Sequence, residues 1–266
     1  MVELYHFPAS LCSQKVRLAL VEKGVEHRQQ FVDIELRMQN YEPWYVRLNP
    51  RGVVPTLVHG DRVVTDSARI IRYIDETFEG PPLSPEDPSE RVRMEAWIEA
   101  QDQLDLRVFS YANIAGLLGA VLRGVTMPRR VRRLRRLRDE IPELRQLYSD
   151  KLEDVCGWRL SVARPERLVE IRAEIDATLD RAEAQLGETS FLASGRYSLG
   201  DLAWTVVLAR LRFLGFADEL WGGGRRPRLA EYYARLRARP SFKQADIWEE
   251  PPHRRALRTL RARLPW

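Results

Sequence analysis

The chain opens with short segments whose apolar positions alternate or recur at helical spacing. Residues 2–6 read as a strand, and residues 13–23 place Val16, Ala19 and Leu20 on one face of a helix. Gly24 follows, where a helix C-terminus favours a residue tolerant of positive φ. Residues 28–34 read as a second strand, and a short helical or irregular piece spans 41–48. Residues 55–59 and 62–65 are β-rich runs joined by Gly60-Asp61, a two-residue hairpin signal. Residues 67–78 return to helical spacing through Ile70, Ile71, Ile74 and Phe78. The order β-α-β-α-β-β-α is that of a thioredoxin-like mixed sheet with helices on both sides.

Gly80-Pro81-Pro82 and the acidic, proline-bearing stretch to Asp87-Pro88 predict a linker. Beyond it strand signals vanish, and residues 89–111, 128–155, 165–186, 198–213 and 228–237 read as helices. The expected fold class is therefore α/β plus all-α: a thioredoxin-like N-terminal domain over residues 1–80, an all-helical domain over 88–250, and a basic tail over 251–266. With 266 residues, 44% of them hydrophobic, and a mean hydropathy of −0.39, the chain has the makings of globular domains, not of a disordered tract. The longest apolar run, 202–209, is far short of a bilayer span. The opening residues show no basic stretch followed by an apolar one, so no secretory leader is expected. Cys12 and Cys156 cannot build a disulfide framework, and the four histidines show no metal-ligand spacing. A reducing, cytoplasmic setting and no metal are the expectations.

Three segments could carry chemistry. Phe7-Pro8-Ala9-Ser10-Leu11-Cys12-Ser13 joins the first strand to the first helix, whose unpaired N–H groups favour an anion. A hydroxyl there can donate to a thiolate, and a thiol there can become one; equally, Ser10 or Ser13 is an N-cap and Cys12 a filler. Val54-Pro55 precedes the third strand. A cis bond would free the Val54 N–H and C=O for a peptide-like ligand, whereas a trans proline would simply open the strand. Thr65-Asp66-Ser67 ends the fourth strand. Asp66 or Ser67 suits an N-cap, or Asp66 could accept an ammonium while Ser67 holds a carboxylate. One ligand with an amino-acid end, a peptide middle and a thiol would satisfy all three.

In that combination the sequence resembles the glutathione S-transferase family. The matching stretches are Ser10-x-Cys12-Ser13-x-Lys15-Val16-Arg17-Leu18-Ala19, Asn49-Pro50-Arg51-Gly52-Val53-Val54-Pro55-Thr56-Leu57 and Asp66-Ser67. Ser198-Leu199-Gly200-Asp201 resembles the family's N-capping box in the helical domain. Within the family, Ser10-Leu11-Cys12-Ser13 is similar to the serine-type, zeta-like segment, with Leu11 in place of a serine. The segments 42–49, 54–65, 141–145 and 197–211 resemble the tetrachlorohydroquinone reductive dehalogenases. Leu4-Tyr5-His6 with residues 13–18 resembles the ganglioside-induced differentiation-associated members.

The resemblance implies glutathione as co-substrate and a homodimer. Ser10 would stabilise the glutathione thiolate, Val54 before Pro55 would pair with the cysteinyl backbone, and Asp66 and Ser67 would hold the γ-glutamyl end. Arg37, Gln39, Asn40 and Arg51 are alternatives for the glycine carboxylate. Cys12 decides between plain conjugation and a reductive chemistry that needs a second thiol. A pocket for a small hydrophobic electrophile would be lined by Phe7, Leu11, Trp97, Arg107 and Tyr111, although aromatics at helical spacing equally suit a core.

The net charge of +5 is local in origin. All but four of the 43 basic residues are arginine, seven of them between 129 and 138 and five between 254 and 263. Val131, Leu134 and Leu137 make the first run amphipathic, so a solvated basic face is expected. Attachment to an anionic membrane surface or to a protein partner is the alternative, and defines the competing function, a non-catalytic transferase-like protein. No stacking motif accompanies the charge, so no nucleic acid is expected.

Overall fold

The computed structural model describes residues 1–250; the expected basic tail, with Arg254 to Arg263, lies outside the described residues. The first strand, β1 (Val2–His6), leads into α1 (Leu11–Glu22), β2 (Arg28–Phe31), a 3-10 turn at Gln39–Tyr41 and α2 (Pro43–Leu48). The hairpin β3 (Thr56–His59) and β4 (Arg62–Thr65) follows, then α3 (Ser67–Thr77). The sheet order is β2-β1-β3-β4, with β1 parallel to β2 and antiparallel to β3. Alternation along β1 divides the sheet's two faces. Leu4, opposite Leu57, joins the buried set containing Leu18, Ile70 and Ile74 from α1 and α3. Tyr5 and Phe7 instead pack with Val32, Tyr45 and Val54, beneath α2. Gly60 turns the hairpin at φ +59, and Gly24 leaves α1 at φ +68, as the sequence predicts.

The remainder is helical: α4 (Pro88–Gln103), α5 (Leu106–Asn113), α6 (Gly116–Val121), α7 (Met127–Glu140), α8 (Arg145–Val162), α9 (Pro165–Gln185), α10 (Leu199–Phe213), α11 (Ala217–Trp221), α12 (Pro227–Ala238) and α13 (Pro240–Gln244). Two expected helices are in fact pairs. The 89–111 helix breaks at Leu104, because Asp105 starts α5 afresh with its carboxylate accepting from the Val108 N–H at 3.1 Å. The 128–155 helix breaks at Ile141, which Pro142 forces out of the helical region to φ −125°, ψ 84°. The short α6, α11 and α13 carry too few turns to show periodicity. A widened π turn, Leu122–Thr126, joins α6 to α7 just before Pro128, which has no N–H to return to the preceding turn.

Charged stitches hold the sheet domain to the helices. The buried Lys15 on α1 donates to Gln101 Oε1 at 2.6 Å and to Asp102 at 3.1 Å. Arg17, also buried, donates to the carbonyls of Ala245 and Asp246, each at 2.9 Å, and to His6 Nδ1 at 3.2 Å. Gln14 accepts from the Trp248 N–H at 2.7 Å. The linker is fastened at both sides: Leu83 N–H donates to Asp75, and its carbonyl accepts from Leu199 N–H at 2.8 Å. At the start of α10 the predicted capping box is complete. Asp201, wholly buried, accepts from the Ser198 N–H and hydroxyl, both at 2.8 Å, from Leu192 N–H at 2.9 Å and from the Tyr232 hydroxyl at 2.7 Å. Burial pushes its carboxyl up, against those four donors.

Candidate active site

The turn between β1 and α1 closes with Ser10 N–H on the Phe7 carbonyl at 3.0 Å. Ser10 caps α1: its Oγ accepts from Ser13 N–H at 3.3 Å, which leaves the hydroxyl hydrogen to donate elsewhere. The two serines divide their work. Ser10 lines a cleft between the domains, whereas Ser13 is buried and its Oγ accepts from Phe7 N–H, bracing the turn. Cys12, half-buried in the first turn of α1, lines the same cleft.

That cleft has a volume of about 1420 Å³ and also gathers Val54, Pro55, Asp66 and Ser67. The Val54–Pro55 peptide is cis. Beside it, the Val53 carbonyl accepts from Tyr45 and Asn49, both at 2.8 Å, while neither polar backbone group of Val54 has a protein partner among the described residues. Asp66 sits at φ +74, a region that costs a residue with a side chain about 1–3 kcal/mol. Its cap holds it there: Oδ1 accepts from Ala68 N–H at 3.0 Å and Arg69 N–H at 3.2 Å, and Oδ2 faces Arg51 at 3.3 Å. Asn40 is also at the cleft, but its Nδ2 is committed to the Gly52 carbonyl at 2.8 Å and its buried Oδ1 has no partner. That bond uses one of the two Nδ2 hydrogens of Asn40, and Arg51 is the exposed cation at this end.

Phe7, Leu11, Arg107 and Tyr111 line the same cleft, but Trp97 lies elsewhere. Trp97 is buried between α4 and α10, edge-on to Trp204 at 5.6 Å, and its carbonyl accepts the Trp204 indole N–H. Its helical spacing reports the core, the other alternative the sequence allowed. Arg107 pairs with Asp154 at 3.0 Å and lies over the Trp158 ring. Burial raises the Asp154 carboxyl, and Arg107 and Lys151 more than reverse this, to about 2.

The expected solvated face of α7 is only partly so. Arg130 is 4% exposed and donates to Glu35 at 2.6 Å, to the Tyr111 hydroxyl at 3.3 Å and to the Tyr41 hydroxyl at 3.4 Å. Tyr111 donates to the same carboxylate of Glu35. Burial raises the Tyr111 hydroxyl, reinforced by Glu35 against the pull of Arg130. Arg133 likewise reaches Glu42 beside α2. The periodicity marked Val131, Leu134 and Leu137 as inward correctly, but Arg130 turns in beside them because Glu35, on the loop after β2, receives it. Trp158, Phe213, Trp248 and Arg210 also stand in the wall, and the sequence singled out none of them as a site residue. Arg210 on α10 is 7% exposed and donates to the Ala9 carbonyl at 2.5 Å. Burial lowers its guanidinium to about 10.

Residues 4–82 match the glutathione S-transferase N-terminal domain, and residues 96–235 match the glutathione S-transferase C-terminal domain. The chain belongs to the glutathione S-transferase family. Among its relatives in that family, the tetrachloro-p-hydroquinone reductive dehalogenase of Sphingobium chlorophenolicum is 34% identical over 92% of this chain and 96% of its own. A human ganglioside-induced differentiation-associated protein 1-like 1 is 29% identical over 91% of this chain and 72% of its own. The crystal structure of beta-etherase LigF from Sphingobium sp. strain SYK-6 superposes with a TM-score of 0.72 at 27% identity, covering 92% of this chain and 98% of that one. Glutathione is the co-substrate of transferases of this family, and these catalytic relatives favour an enzyme over the non-catalytic alternative. Among the described residues no group of side chains is arranged to hold a metal, and no single helix is long and apolar enough to cross a membrane.

Proposed function

We propose that this chain is a serine-type glutathione transferase in which Ser10 and the N-terminus of α1 hold the glutathione sulfur as a thiolate for attack on a small hydrophobic electrophile. The observation that carries it is the Ser10 hydroxyl, fixed as an acceptor by Ser13 N–H and therefore free to donate its hydrogen into the cleft. Anions are favoured at the head of a helix by its unpaired N–H groups and its dipole. Val54 would pair with the cysteinyl backbone, Ser67 would take the γ-glutamyl carboxylate, Asp66 would share Oδ2 with its ammonium, and Arg51 would serve the glycine carboxylate. We assign the homodimer and the reducing, cytoplasmic setting to the same proposal.

Cys12, two residues from Ser10 and open to the same cleft, extends this to reductive dehalogenation of a chlorinated hydroquinone, the substrate type in the names of two relatives. A first glutathione thiolate would displace chloride and form a carbon–sulfur bond. The Cys12 thiolate would attack that sulfur; the aryl carbon would leave with the bonding pair and take a proton. A second glutathione would then reduce the Cys12–glutathione disulfide. In sum, carbon–chlorine becomes carbon–hydrogen, two thiols become one disulfide, and hydrogen chloride is released.

The test is an ultraviolet titration of bound glutathione's thiolate in Cys12→Ser protein. The midpoint should lie well below that of free glutathione and return toward it in Cys12→Ser/Ser10→Ala. A midpoint indifferent to Ser10 would remove it from the mechanism.

A further inference from the structure

Six cations line the cleft, and five of them meet a carboxylate of the protein: Arg51 meets Asp66, Arg107 and Lys151 meet Asp154, Arg130 meets Glu35, and Arg167 meets Glu170 and Glu174. Arg210 is the sixth. Among the described residues it has no carboxylate partner, and its one hydrogen bond is to the neutral Ala9 carbonyl. Arg210 is among the residues that line the cleft. A cation 93% removed from solvent with one neutral acceptor is an expensive arrangement unless an anion completes it. The position is specific too. Ala9 belongs to the turn that presents Ser10 and Cys12, and Arg210 lines the same cleft as Cys12 and Tyr111. Its own neighbour Phe213 lies under the guanidinium, 5.2 Å from its ring centre. Further aromatic wall comes from Phe7, Trp158 and Trp248.

We propose, resting on the glutathione site proposed above, that Arg210 receives an anionic oxygen of the electrophile, so that the cleft selects small aromatic substrates bearing a phenolate or a carboxylate. The planar guanidinium suits an oxyanion in the plane of a ring, and a charge-assisted hydrogen bond inside an apolar pocket is stronger than its counterpart in water. The anion would meet Arg210, which is tied to Ala9, and not Ser67 or Arg51, the groups proposed for the carboxylates of glutathione.

The test compares three probes by calorimetry: glutathione, and two S-(nitrophenyl)glutathione conjugates that differ only in a ring carboxylate or carboxamide. Wild-type protein should hold the carboxylate conjugate on the order of tenfold tighter than the carboxamide. Arg210→Gln should erase that preference while leaving the affinity for glutathione itself unchanged, and Arg210→Lys, which keeps the charge without the planar fork, should retain part of it. Equal affinity of the two conjugates for wild-type protein overturns the proposal without needing any variant to fold. So does a preference that survives Arg210→Gln, or a fall shared equally by all three probes, which is what a purely structural bond to Ala9 would produce. Failure of glutathione itself to bind refutes the underlying site, and the proposal with it.

Discussion

Asp201 holds the start of α10 and, through it, the contact between the helical domain's layers. Replacing it with alanine strips the acceptor from Leu192 N–H, Ser198 N–H and the Tyr232 hydroxyl, none of which is near water; the Ser198 hydroxyl can rotate away. Each stranded donor costs about 1–3 kcal/mol, and relief of a buried carboxylate offsets part of the total, so Asp201→Ala should destabilise by about 3–6 kcal/mol. Against a whole-protein stability of roughly 5–15 kcal/mol this is a large loss. Tyr232→Phe is the graded control: three donors remain on the carboxylate, and the expected cost is about 1 kcal/mol. Urea unfolding, followed by far-ultraviolet circular dichroism and by tryptophan fluorescence, measures both by linear extrapolation. Asp201→Ala within about 1 kcal/mol of wild type would refute the four-donor account. Tyr232→Phe costing as much as Asp201→Ala would refute it differently, by placing the stability in the tyrosine alone.

Two further outcomes follow from buried charge. Arg130→Met leaves Glu35 and Tyr111 facing each other without their cation and should cost about 3–5 kcal/mol, most of it recovered in Arg130→Met/Glu35→Gln; additive losses in the urea-derived cycle would show that the pair is not coupled. His6 is buried, and its imidazole is lowered from 6.5 to about 4 by burial and then by Arg17 and His27, so the fold favours the neutral ring. Its contribution, at most about 3 kcal/mol, is present above pH 6.5 and is lost as pH falls toward 4; His6→Asn should flatten that part of the stability profile.

Local chemistry was the legible part of this molecule. The hairpin at Gly60 and the reciprocal cap at Ser198 and Asp201 are set by residues a few positions apart and stand where the sequence predicts, and the α1 cap falls to Ser10, one of the two serines the sequence offered. Pro142 and Asp105 carried ordinary stop and start signals, but the apolar spacing continues across both, and periodicity alone bridges such breaks. The cleft's charged members were less visible because their meaning is long-range. Arg130 looks like any other arginine of its run until Glu35, 95 positions away, faces it. Arg210 gains its significance from Ala9, 201 positions earlier, and from carboxylates that are elsewhere. Trp97 shows the converse: an aromatic on a helix beside the cleft is decided by which neighbour it meets, and it meets Trp204.

The stitches on α1 bear on how the chain is made. Lys15 finds its partners at 101 and 102, Arg17 at 245 and 246, and Gln14 at 248. During synthesis the sheet domain leaves the ribosome first, and domains generally fold in that order. Its first helix, however, carries two cations and an amide whose acceptors and donors are encoded beyond the sheet domain, the last of them near the end of the described chain. Until those residues emerge, α1 presents an unfinished surface, and the nascent N-terminal half must keep it in water. The head of the helix that bears Ser10 and Cys12 is thus completed last, so a truncated product would hold the sheet without a finished site.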